Sequence, residues 1–217
     1  FNLEFVSGDF TLSQNLNVSN NLTITAINAL NGNTANLKIL VGGDVISNDA
    51  TGYANCCGYL PVFVSLNGAT DQNISGTGVM TFIEFAKTGG DAIFNPAFSK
   101  VFNTAKVTAG TWNLLGNTFS AAGGFSASTG GTIAGSGTLT GAVTINSTGI
   151  LSPGSSPGCI GITGNLVMAS GSHLAINISG STVCSGLDQV TVSGSATLTG
   201  SVLDLSPTTN GSGFKIL

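Results

Sequence analysis

The chain offers few side chains able to do chemistry. Its only histidine is His173, its four cysteines are Cys56, Cys57, Cys159 and Cys184, and its five basic residues are all lysine. The carboxylates are Glu4, Asp9, Asp44, Asp49, Asp71, Glu84, Asp91, Asp188 and Asp204. A serine or cysteine nucleophile needs a base that a third group orients, and only His173 is available as that base. It lies in the alternating stretch SHLAINI, at a position that period-2 patterning turns outward. The expectation is an ordinary exposed strand residue. Glycan cleavage needs two carboxylates flanking a sugar. No two acids occupy alternate positions of one strand-like run, and no arginine is present to assist. Calcium-binding solenoid repeats read G-G-x-G-x-D, and only Gly42-Gly43-Asp44 and Gly89-Gly90-Asp91 come near. Asp9, Asp44 and Asp91 are expected instead to shape corners by bonding nearby backbone. The cysteine spacings match no zinc pattern. No catalytic residue, metal or cofactor is predicted.

Composition narrows the partners. Charged residues make up 6% of the chain, against about 25% in ordinary soluble domains. The net charge is −4 and arginine is absent. Bidentate capture of phosphate is therefore excluded, and nucleic acid and anionic membranes are poor partners. No apolar run reaches the ~18 residues of a membrane-spanning helix, so no membrane insertion is predicted for this segment. Disorder does not fit either, because disordered chains combine low hydrophobicity with high net charge.

Any functional residue must be positioned by strands. NLTITAI (21–27), GTLTGAVTIN (137–146), HLAINIS (173–179) and QVTVSGSATLTGSVLDL (189–205) alternate with period 2 between Gly, Asn and Ser. The units SGDFTLS (7–13), GGDVISN (42–48) and GGDAIFN (89–95) resemble one another, as solenoid repeats do. PAFSKVFNTAKV (96–107) is the nearest to a helical pattern and reads better as strand and corner. Asn31-Gly32 and Asn67-Gly68 would suit tight hairpins, so an antiparallel β-sandwich is the alternative. The Ser-Pro-Gly steps at Pro153-Gly154 and Pro157-Gly158 suit sharp corners.

GGTIAGSG through SVLDL, residues 130–205, resembles the repeat of bacterial autotransporter passengers and giant surface adhesins. The resemblance rests on Gly149 to Gly158 (GILSPGSSPG) and on Asp188-Gln189 before valine-rich strands. SLNGATDQNISGTG (65–78) is more loosely similar to repeats of large secreted bacterial adhesins. The resemblance implies a right-handed parallel β-helix, export across the cell envelope, and an adhesive or scaffolding role.

The prediction is an all-β, right-handed parallel β-helix of nine to eleven coils at about 20–24 residues each. Residues 1–125 form a solenoid with an irregular loop near 48–61, and 126–217 form the autotransporter-type part. Cys159 and Cys184, 25 residues apart and so about one coil, are expected to pair. Cys56 and Cys57 form a vicinal disulfide or sit in the loop. Tyr53, Asn55 and Tyr59 are candidate contact residues there, because function concentrates on loops over a rigid scaffold. With Phe1 at the start and GFKIL (213–217) at the end, the chain is expected to be a segment whose ends are covered by further chain or by another copy stacked end to end. The predicted role is a non-enzymatic rod or filament on the bacterial surface or secreted, contacting glycans or other cell surfaces. The rivals are a β-helical glycan-degrading enzyme and an ice- or crystal-binding solenoid.

Overall fold

The computed structural model describes residues 1–50, 52, 59–154 and 157–207. These residues form a parallel β-solenoid without a helix. Among them the one antiparallel strand pair joins Asn31 and Gly32 to Pro61 and Leu60, so the sandwich alternative falls. The coil makes about seven full turns, fewer than expected. Coil length is uneven. Phe125 pairs with Val143, 18 residues on. Leu166 pairs with Ala196, 30 residues on.

One face runs the length of the molecule as a nine-stranded sheet, here called the long face. Alternate residues point inward and stack in columns. One column is Leu16, Ile39, Val64, Ile83, Ala105, Phe125, Val143 and Leu166. Its neighbour is Val18, Val41, Leu66, Phe85, Val107, Ala127, Ile145 and Met168. Small residues are interleaved with large ones: Ala105 lies beside Phe125, which leaves room for the ring.

The cross-section changes along the axis. Up to Phe94 the long face is joined by one other main sheet, whose parallel strands are Leu3–Leu12, Leu22–Gly32, Val45–Ser47, Gln72–Ser75 and Ala92–Phe94. From Val101 onward each coil carries three strands, one per face. The second face consists of Val101–Phe102, Thr118–Ala121, Gly137–Thr140, Cys159–Thr163 and Gln189–Val192. The third consists of Thr111–Asn113, Thr132–Gly135, Ile150–Pro153, His173–Ile178 and Val202–Pro207. The segment read as strand and corner, 96–107, supplies Val101–Phe102 and the start of Thr104–Ala109.

Aromatic rings fill the change of section. Trp112 is fully buried and stacks on Phe85 with centroids 4.3 Å apart, while Phe119 meets it edge-on at 4.8 Å. The Pro-Gly corner behaves as expected at Gly154, whose φ of 87° is the left-handed conformation that favours glycine. At Gly158 the constraint is close approach: an added Cβ would lie 2.4 Å from the Gly154 Cα. Asp9 departs from its predicted corner role. It lies inside strand Leu3–Leu12, where the register against Leu22–Gly32 shifts.

Candidate functional site

His173 is outward on the third face, as its alternation predicts, and its Nδ1 lies 2.7 Å from Asp204 Oδ2. The next strand brings them together, since His173 pairs with Val202. A histidine oriented by a carboxylate is two-thirds of a nucleophilic triad. The third part is missing: among the described residues no hydroxyl or thiol is hydrogen-bonded to His173. Both side chains are well exposed, 36% and 50%, so water has free access. The arrangement is a hydrogen-bonded pair on the surface.

Among the described residues, a buried carboxylate–amine cluster sits on the outer side of the long face. Register places Ser65, Glu84, Lys106 and Ser126 in one outward column. Glu84 accepts hydrogen bonds at Oε1 from Lys38 Nζ at 2.8 Å and from the Thr108 hydroxyl at 2.6 Å. Burial alone would raise its pKa, but these bonds and the charges of Lys106 and Lys38 hold it below the usual glutamate range. Lys106 lies 3.7 Å above the Phe63 ring, and burial lowers its pKa against the pull of Glu84. Glu84 Oε2 and Ser65 Oγ are buried without a hydrogen-bond partner. One carboxylate held between amines lacks the facing carboxylate of a glycan-cleaving centre.

Acids and amides elsewhere secure corners. The Gln72 amide donates to the carbonyls of Val41 and Gly43 and accepts from Gly68 N. Lys87, 2% exposed, donates to Thr70 O and to Gln72 Oε1, each at 2.9 Å. Burial lowers its pKa, and Asp71 and Asp91 oppose the shift. A ladder of side-chain oxygens climbs the same edge. Asn2 accepts from Asn21 N, Asn21 from Asp44 N, Asp44 from Asn73 N, and Asp71 from Asp91 N. Asp44 therefore plays its predicted corner role. Among the described residues no three His, Cys, Asp or Glu side chains gather as a metal site would require.

The second half has one clamp. Cys159 and Cys184 are joined by a disulfide with Cα atoms 5.1 Å apart, as their spacing predicts. The bond ties down an excursion between Ile178 and Gln189. Asp188, 4% exposed, closes its base, accepting from Gly158 N at 2.6 Å and Asn177 N at 2.8 Å. The Asp-Gln step thus carries a backbone clamp, and Gln189 N donates to Gly158 O. Tyr53, Asn55, Cys56 and Cys57 lie outside the described residues. Tyr59 is 42% exposed, next to the Leu60 that pairs with Gly32.

The sequence reading overlooked a surface on the second face. Register aligns Thr118, Thr138, Gly161 and Thr191 in one outward column. Val101, Ser120, Thr140 and Thr163 form the next. The result is a two-column array of six hydroxyls, interrupted by Val101 at one end and by Gly161 within. None of these six hydroxyls makes a hydrogen bond within the described residues. The signal was present as T-F-S, T-L-T, G-I-T and T-V-S, but coil steps of 20, 23 and 30 residues hide it from a search for a fixed period.

No protein-family model matches the chain, and neither does any curated protein or solved structure.

Proposed function

We propose that the chain is part of a non-enzymatic, extracellular structural and adhesive rod, displayed on a bacterial surface or secreted. The observation that carries this reading is where the hydrogen-bonding capacity goes. Buried Gln72, Lys87, Ser172 and Asp188 spend their polar atoms on backbone groups at corners, and the hydroxyls of the second face lie outside in a repeated array. A solenoid adds stability coil by coil, so it suits a long, stiff support. A disulfide between Cys159 and Cys184 fits an oxidising compartment.

The partner proposed for the rod is more of its own kind. At the carboxy-terminal end of the described coil the core column Trp112, Ile133, Leu151, Leu174 and Leu203 runs out into the open. Leu203 and Leu205 are each 43% exposed and Leu198 49%, around a cavity of about 450 Å³. Another coil, from further chain or from a second copy stacked end to end, would bury this surface and pair the last strands. At the opposite end Phe5 is buried against Phe10 at 4.5 Å, while Phe1 and Val6 are exposed.

The test uses beads coated with the whole chain, applied to cell and glycan surfaces, alongside a reducing-end assay on neutral and acidic polysaccharides. Adhesion without turnover supports the reading. Turnover abolished by His173→Ala or Glu84→Gln in a folded variant would replace it with the enzyme reading.

A further inference from the structure

We infer that the hydroxyl lattice on the second face binds the surface of crystalline ice. The inference names an occupant for one face of the proposed adhesive rod, and rests on that reading only for the face's display outside the cell. In a parallel sheet neighbouring strands lie about 4.8 Å apart and alternate residues along a strand about 6.6 Å apart. The outward residues of Thr118–Ala121, Gly137–Thr140, Cys159–Thr163 and Gln189–Val192 therefore fall on a two-dimensional grid. Each hydroxyl offers one donor and two acceptors, the hydrogen-bonding character of a lattice water. Threonine is restricted at χ1, which limits the directions its hydroxyl and methyl can take at each node. The coil closes these strands into a rod, so the grid is set before any surface is met and little entropy remains to be lost on contact.

The chemistry of the face selects among periodic surfaces. A mineral needs charge, and no node of the grid is charged. A crystalline polysaccharide presents flat C–H faces that take aromatic rings, and no node is aromatic. A neutral lattice of donors and acceptors, with no protein partner of its own, is left to match ordered water.

Gly161 makes the inference testable by improvement. Its φ is not in the left-handed region. An added Cβ would meet Thr138 Oγ1 at 3.4 Å and Thr191 Oγ1 at 3.7 Å, ordinary contacts with the column's own neighbours. Gly161→Thr therefore adds a hydroxyl at this node, and its Cβ meets no backbone obstacle.

The experiment is ice-affinity partitioning and thermal hysteresis of the whole chain, with circular-dichroism melts confirming that each variant folds. The chain should be enriched in growing ice, Thr140→Lys should lower the enrichment several-fold, and Gly161→Thr should raise it. Thr144→Lys, outward on the long face, should leave it unchanged. Absence of enrichment, an equal loss in Thr144→Lys, or binding to crystalline cellulose or chitin in place of ice would overturn the inference. Any of these would leave the rod reading standing, because that reading is tested separately, by adhesion of the chain to cell and glycan surfaces and by polysaccharide turnover.

Discussion

The two stretches of the solenoid solve one problem in different ways. Up to Phe94 the coils are irregular and bury Asn31, Ser47, Asp49, Ser65, Gln72, Glu84 and Lys87. From Val101 to Pro207 the coils have three strands each, and the buried polar side chains are Ser172 and Asp188. The difference follows from the corners. In the three-strand coils, backbone amides of one coil reach the corner carbonyls of the last. Thr132 N donates to Gly110 O, Ile150 N to Gly131 O, and His173 N to Gly149 O. The earlier coils make such backbone bonds too, as Leu22 N does with Asp44 O, but there buried side chains such as Gln72 and Lys87 add to them. Asp188 supports the rule, since it serves the one long excursion of the regular half. The hydroxyl grid lies in these three-strand coils, on their second face.

The largest expected effect breaks the join between the two. Trp112→Ala removes the ring that packs both on Phe85 and on Phe119, at a cost of about 4 kcal/mol. Calorimetry should then resolve two transitions where the parent shows one. A single transition with a lower midpoint would mean that the halves are one cooperative unit. Next, replacing Cys159 and Cys184 with serine should cost about 3 kcal/mol on the chain-entropy estimate. Hydrogen exchange should quicken from 159 to 192 and stay unchanged before Phe94. Asp188→Asn, which loses one charge-assisted acceptor, should cost about 2 kcal/mol and expose the amides of Gly158 or Asn177 to exchange.

The smallest effect is a pH dependence confined to the irregular half. Glu84 has a lowered pKa in the folded chain, so the unfolded chain binds more protons in acid. Its stabilisation is present above the ordinary glutamate value of about 4.3 and is lost as pH falls through the lower folded value. Glu84→Gln should flatten that acid limb by about 1 kcal/mol. An unchanged slope in urea melts between pH 5 and 2, taken as an approximate window for that titration, would assign the acid sensitivity elsewhere.

Period-2 alternation and glycine corners were enough to read the parallel solenoid and the Cys159–Cys184 pair, because both depend on local chemistry and on a spacing near one coil. GGDVISN and GGDAIFN read correctly as corner and strand, whereas SGDFTLS did not, because Asp9 falls at a register shift inside a long strand. The roles of Glu84, Lys38 and Thr108 were illegible: they meet across separations of 46 and 24 residues, which no local pattern encodes. The His173–Asp204 pair and the hydroxyl grid were hidden for the same reason. Register across coils of unequal length is set by packing, and the outward residues only follow it.

The account's central claim is that this is a displayed rod that works through its outer faces. The most direct measurement is electron cryo-tomography of intact cells that make the protein, labelled with an antibody against the corner that exposes Ala122 and Gly123. The account predicts label on the outside of unpermeabilised cells, along straight rod-like densities. Label that appears only after permeabilisation, or on compact particles, would contradict it.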